Sequence, residues 1–195
     1  MYRYLSVDID DLGTNDSKEE KPTVLRCLDN FFRPEEREIT CEKCEDGRVA
    51  TQTLRILSRP KILLLHLKRF VLVEQPIAGN DADAQIEFAF SKKRTAVELT
   101  SDLSLAAYSK SESDDSKAKT QATGEKYTLK SVVHHIGKTA DSGHYTADAL
   151  RKDAGGQTSQ WVSYDDGITT ETSFSGVQES IRNQRTAYML LYSTD

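Results

Sequence analysis

An α+β fold dominated by antiparallel sheet is predicted by three patterns in the sequence. Leu5, Val7 and Ile9 alternate with Ser6, Asp8 and Asp10, the period-two signature of a strand with one buried face. Tyr127–His135, His144–Arg151 and Trp161–Tyr164 are apolar runs separated by glycine-bearing turns at Gly137–Gly143 and Gly155–Gly156, which a meander connects most simply. Only two short stretches carry helical spacing, so helices are the minor layer.

After the first strand, Asp11–Ser17 and Lys18–Pro22 form a polar run that reads as a loop. Thr23 stands at an N-cap position. Val24, Leu25, Cys27, Leu28, Phe31 and Phe32 follow at helical spacing until Pro34 stops the pattern. Val49–Phe70 is rich in Leu, Ile and Thr, and Lys61–Val73 is long enough for a central strand. Gln75–Asp83 reads as a loop and Ile86–Phe90 as a short strand. Ser109–Lys126 is dominated by Ser, Asp, Lys, Thr and Glu, so it is expected to be a disordered insertion. Ser173–Ile181 is expected to form one helix, and Thr186–Ser193 a closing strand.

With 195 residues the chain holds one domain of ordinary size. Its 26 Lys+Arg against 31 Asp+Glu leave a net charge of -5, so no general basic surface exists for phosphates or anionic lipid. Nucleic acid and membrane are therefore excluded as main partners. The longest apolar stretch, Ile62–Leu65, stops at His66, far short of the roughly 20 residues of a membrane helix. The opening residues lack the apolar core of a signal peptide, so the expected location is cytoplasmic or nuclear. Three cysteines is an odd count, which favours reduced thiols or a metal site over a disulfide framework.

Three blocks have the residue types that chemistry needs. Cys41 and Cys44 have the spacing that lets two thiolates hold one tetrahedral metal, and they read equally well as two surface thiols in a hairpin. Cys27, on the apolar side of its helix, reads as a buried structural residue rather than a third ligand. His144 follows Gly143 where a loop becomes a strand, a placement that suits a general base. Asp165 and Asp166 end a second strand 21 residues after His144, counted to Asp165 (165 − 144). Neighbouring antiparallel strands would bring them beside the imidazole. A carboxylate accepting the Nδ1–H would fix the tautomer and leave Nε2 to activate a nucleophile. Asp165-Asp166-Gly167 also reads as an ordinary turn. Trp161 reads as core. His66, His134 and His135 read as structural, with His135 bordering the site.

Taken in order, Phe31-Phe32-Arg33-Pro34-Glu35-Glu36, Cys41-Glu42-Lys43-Cys44, Leu64-Leu65-His66-Leu67-Lys68-Arg69-Phe70, Gly143-His144-Tyr145 and Trp161-Val162-Ser163-Tyr164-Asp165-Asp166 resemble the ubiquitin-specific protease family. Ala187–Tyr192 fits it too. The resemblance implies a papain-like cysteine peptidase and covers residues 1–195 as the C-terminal part of the catalytic domain, palm and part of the fingers without the thumb. It implies hydrolysis of isopeptide or peptide bonds after the C-terminal glycine of ubiquitin, with ubiquitin and ubiquitinated proteins as partners. His144 would be the base, Asp165 its orienting residue, and Asp166 a support for the oxyanion or for Asp165. Cys41 and Cys44 would be half of a structural zinc site, with no catalytic cofactor. The family's Gly-Asn-Thr-Cys nucleophile box has no counterpart here, so the nucleophile is expected upstream and this chain alone is expected to be inactive. The alternative is a non-catalytic ubiquitin-binding or scaffold module.

Overall fold

The computed structural model describes residues 4–9, 21–40, 42–43, 47–76, 86–110, 126–153, 155–156 and 159–194. Within them runs an eight-stranded mixed sheet, all antiparallel except at one edge. Strands β1 (Leu5–Asp8) and β4 (Ile62–Lys68) pair in parallel. From there the order continues through β12 (Ala187–Ser193), β8 (Lys126–Ile136), β9 (His144–Lys152), β10 (Ser159–Asp165) and β11 (Ile168–Thr172). The short β7 (Asp102–Ser104) pairs with β8 off this path. Two hairpins stand apart from the sheet, β2 (Glu35–Thr40) with β3 (Gly47–Gln52), and β5 (Phe70–Pro76) with β6 (Ile86–Lys92).

The period-two alternation does what it predicts: Val7 and Ile9 are buried while Asp8 faces solvent. Leu65 on β4, Leu190 on β12 and Val132 on β8 stand directly across from one another and are all fully buried. Three helices cover this face: α1 (Val24–Phe31), α2 (Phe174–Glu179) and α3 (Ile181–Thr186). The Thr23 hydroxyl accepts the Arg26 N–H at 3.1 Å, satisfying one of the orphan donors of α1. Val24, Cys27, Leu28 and Phe32 sink into the core, and Cys27 is the buried structural cysteine expected. Trp161 is also core.

Several expected boundaries move. The predicted central strand over Lys61–Val73 breaks at Arg69, and its first half lies next to the edge strand rather than at the centre. The closing strand takes the interior place instead, between β4 and β8. The single helix expected over Ser173–Ile181 is two helices, because Ser180 leaves helical backbone and its hydroxyl caps the next helix through Asn183 N–H. Strand β11 had no pattern to announce it: Thr169, Thr170 and Glu171 are exposed on an edge. Of the predicted insertion Ser109–Lys126, positions 111–125 lie outside the described residues, and Ser109 bridges to Ile56. No helix among the described residues is long and apolar enough to cross a membrane.

Arg69 stands at the break between β4 and β5. Its guanidinium is fully buried, donating from Nε to the Ala187 carbonyl at 2.5 Å, from Nη2 to Gln184 at 2.6 Å, and from Nη1 to Thr95 and Lys93 at 3.0 and 3.1 Å. Arg69 keeps the inward parity of Leu63, Leu65 and Leu67, so a cation occupies the next core-facing position where the chain passes from β4 into β5. Burial lowers the guanidinium pKa to about 10, with nearby Cys27 acting in the opposite direction, so it stays protonated at neutral pH. Arg69→Leu would leave four carbonyls without this donor. The Gln184 carbonyl keeps the Val97 N–H, but each hydrogen bond from a charged group contributes about 1.5–3 kcal/mol, so the variant is predicted to lose at least about 3 kcal/mol of stability. The shift of the urea midpoint measures this, and an unchanged midpoint would contradict the bracing role.

Candidate active site

Strand pairing assembles the site. His144 opens β9 and stands across from Ile136 of β8, while β10 runs antiparallel to β9 with Tyr164 opposite Ala147. Because side chains alternate along a strand, His144, Thr146 and Asp148 share one face of β9, and Ser163 and Asp165 share that face of β10. This is the face that carries the core. His144 Nε2 hydrogen-bonds Asp165 Oδ1, as the spacing of the two residues predicted. Both side chains remain about half exposed, 43% and 54%, so the pair lies at the open end of the face. Asp166 joins them, with one ligand atom of each of the three residues lying within 4.8 Å of the others.

One detail differs from expectation. The carboxylate takes Nε2, not Nδ1, so Nδ1 is the nitrogen left for a nucleophile. No described residue hydrogen-bonds it. The reason is strand geometry: Asp165 reaches the ring from the neighbouring strand β10 and meets its far nitrogen. Asp166 adopts φ 51°, a left-handed conformation that Asp tolerates better than most residues. It turns the chain from β10 into β11, so the turn reading and the site reading of Asp165-Asp166-Gly167 hold together.

The His144 pKa is raised above 6.5, chiefly by the Asp165 hydrogen bond and then by the Asp165 and Asp166 charges, against slight burial and Arg182 on α3. Asp165 thus stabilises the charged form of the ring relative to a free imidazole.

A second histidine–aspartate pair lies deeper on the same face. His134 Nε2 meets Asp148 Oδ2 at 2.9 Å, and His134 Nδ1 meets the Thr186 hydroxyl at 3.2 Å. Asp148 also accepts the Ser163 hydroxyl and, at 3.3 Å, the Asn183 amide. Burial pushes the Asp148 carboxyl up, but the hydrogen bonds from His134 and Ser163 and the His134 charge outweigh it, so the pKa is lowered overall. This network ties β8, β9 and β10 to α3. Sequence reading called His134 structural, which is so, and missed Asp148 and Ser163. Their signal was parity: both fall on the strand face of His144 and Asp165, where apolar residues would otherwise be expected.

His66 accepts a structural place as well, with Nδ1 2.7 Å from the Ser6 hydroxyl. His135 is buried beside the loop that precedes His144. Cys41 and Cys44 lie outside the described residues. Among the described residues the one cysteine is Cys27, in the core.

With this geometry in view, comparison with known proteins is decisive. The profile of one family, Ubiquitin carboxyl-terminal hydrolase, matches residues 8–192. The chain belongs to that family. It is 31% identical over 175 residues to Ubiquitin hydrolase B of Dictyostelium discoideum, covering 89% of this chain and 32% of that protein. It is 29% identical over 178 residues to Ubiquitin carboxyl-terminal hydrolase 10 of Saccharomyces cerevisiae, covering 88% of this chain and 19% of that protein. Among solved structures it is similar to the SAGA Ubp8/Sgf11/Sus1/Sgf73 DUB module bound to ubiquitin aldehyde, with a TM-score of 0.65, 26% identity, and coverage of 98% of this chain and 36% of that one. The papain-like α+β fold is thereby shown. The chain spans about a third or less of these relatives.

As a member of this family, the chain is predicted to titrate His144 with a midpoint above 6.5, followed by NMR of the histidine ring. The sign follows from linkage: a raised native pKa stabilises the folded state fully below the unfolded value, and the contribution disappears as pH rises through the native one. Asp165→Ala is expected to bring the midpoint down toward 6.5, and an unmoved midpoint would remove Asp165 as the partner.

Proposed function

We propose that residues 1–195 are the base-bearing, C-terminal part of the catalytic domain of a thiol-dependent deubiquitinase, which hydrolyses isopeptide or peptide bonds after the C-terminal glycine of ubiquitin. The carrying observation is the His144–Asp165 hydrogen bond at the open end of the sheet face, in a chain of the ubiquitin carboxyl-terminal hydrolase family. In support, a structural neighbour is bound to ubiquitin aldehyde.

In this mechanism a cysteine supplied from outside these residues gives its proton to His144 Nδ1, and the thiolate attacks the carbonyl carbon of ubiquitin's last glycine. The C–N bond of the tetrahedral adduct then breaks, and the imidazolium protonates the leaving lysine amine. Water, deprotonated by the same imidazole, releases ubiquitin from the thioester. Asp165 orients the ring and stabilises its charged form. In a serine protease, loss of the comparable carboxylate costs about 10⁴ in kcat. Asp166 adds negative charge beside the imidazolium. The partners are ubiquitin and ubiquitinated proteins, and the setting is cytoplasmic or nuclear.

Two thiolates at Cys41 and Cys44 fit half of a tetrahedral zinc site. They would hold a structural ion only with two further ligands from elsewhere, and the reaction needs no metal. A second reading, a non-catalytic ubiquitin-binding module, is favoured by the burial of Cys27 in α1, which removes the one described thiol from the chemistry.

The two readings separate on treatment of the complete protein with ubiquitin bearing a C-terminal thiol-reactive electrophile. The enzyme forms a covalent adduct, whereas the binding module forms none and retains affinity for ubiquitin. His144→Ala is predicted to abolish cleavage of a ubiquitin-amide substrate while leaving ubiquitin affinity within about threefold, since uniform binding is separable from transition-state stabilisation. Undiminished turnover in this variant would sink the assignment of the base.

A further inference from the structure

Lys92 ends β6, outside the main sheet, yet its ammonium reaches the loop that leads into His144. Nζ lies 2.9 Å from His135 Nδ1 and donates to the carbonyls of His135 at 2.7 Å and Gly137 at 3.0 Å. All three acceptors are uncharged. Its aliphatic end passes the Phe70 ring, with Nζ 5.8 Å from the centroid. An ammonium donates only, so His135 Nδ1 must be the acceptor, which leaves the ring neutral with its proton on Nε2.

That ring in turn sets the path of the loop. A Cβ on Gly143 would lie 2.3 Å from His135 Nε2 and 2.8 Å from Cε1, and one on Gly137 would lie 2.7 Å from the Ser142 carbonyl. Both ends of the loop are therefore packed against atoms that Lys92 fixes: Gly137 through its own carbonyl, and Gly143 through the His135 ring. Gly143 is bonded to His144. On the far side of the ring, Tyr145 and Phe70 stack edgewise at 4.9 and 5.2 Å, so the imidazole has little freedom to retreat.

We propose that Lys92 is a positioning residue for the reaction: by clamping His135 and the Gly137 carbonyl, it sets where the Gly137–Gly143 loop delivers His144. The proposal rests on His144 being the base. Burial and the neighbouring Arg69 and Arg94 lower the Lys92 pKa, so the charge is held here against its electrostatic preference, in keeping with a role beyond surface solvation. A displacement of about 1 Å at a reacting group can cost about a hundredfold in rate, which is the scale of effect expected.

The test uses the complete protein carrying Lys92→Met, which keeps the chain length and removes all three donors, beside Lys92→Arg, which keeps charge and donors. Active sites are counted with the ubiquitin electrophile, so that misfolded molecules do not enter the rate. Lys92→Met is expected to lower kcat per titrated site by about tenfold to a hundredfold with KM changed less than about threefold, and Lys92→Arg to lie closer to the parent. Two outcomes overturn the proposal: an unchanged kcat per site in Lys92→Met, or equal losses in both variants. A second readout does not depend on turnover. ¹⁵N spectra of the histidine rings should show His135 losing its single neutral tautomer in Lys92→Met, with faster amide exchange across 137–143. If the parent protein itself shows no turnover, the base assignment fails, and the histidine spectra still decide whether Lys92 holds the loop; unchanged spectra overturn that too.

Discussion

The buried Arg69 guanidinium is the constraint on which the rest of the arrangement depends. It stands between β4 and β5 and gathers the carbonyls of Lys93, Thr95, Gln184 and Ala187. Ala187 begins β12, the strand that fills the middle of the sheet, and Gln184 belongs to α3. Lys93 and Thr95 follow directly on β6, so the same cation fixes the strand end that carries Lys92. A carboxylate partner would satisfy the charge through one segment. Four carbonyl dipoles satisfy it only if those segments are all in place, which makes the cation a test of correct assembly.

From there a continuous line of contacts leads to the site. Lys93 N–H donates to the Arg69 carbonyl at 2.7 Å, Lys92 beside it clamps His135 and Gly137, and the His135 ring lies against Gly143. The hairpin and the sheet thus meet at the loop before His144. The opposite support comes from the core face, where Asp148 binds His134, Ser163 and Asn183. That network joins three strands and α3 on the sheet face that carries the pair. His144 is consequently held from both faces of β9, although its own side chain is half exposed.

Much of this was legible in the sequence, because strand period and histidine–carboxylate spacing are local signals. Leu5–Ile9 marked the first strand, Thr23 the helix start, and His144 with Asp165 the pair, since two neighbouring antiparallel strands of ordinary length bring such residues together. Arg69 was not legible. Its parity with Leu63, Leu65 and Leu67 places it on the inward face, but the carbonyls 115 to 118 positions away that satisfy its charge there leave no local signal. Lys92 was missed for the same reason: its partners lie 43 and 45 positions away, and an ordinary strand-end lysine gives no sign of them. The nitrogen that meets Asp165 was also beyond the sequence, since it depends on which strand approaches the ring and from which end.

The two histidine–aspartate pairs on one sheet face show how environment divides a single chemistry between two roles. His134 is buried, with both ring nitrogens engaged, and the carboxylate it meets accepts three donors. Every polar atom in that pair has a partner, so the pair is committed to the network that holds the strands. His144 has the same partner type but stands at the open end, where Asp165 engages Nε2 and no described residue engages Nδ1. A raised pKa there keeps the imidazolium accessible, and the free nitrogen gives the proton somewhere to go. Exchanging the two environments would exchange the roles: a base needs one satisfied nitrogen and one unsatisfied, whereas a brace needs both satisfied. The residue types alone do not distinguish the pairs, and burial does.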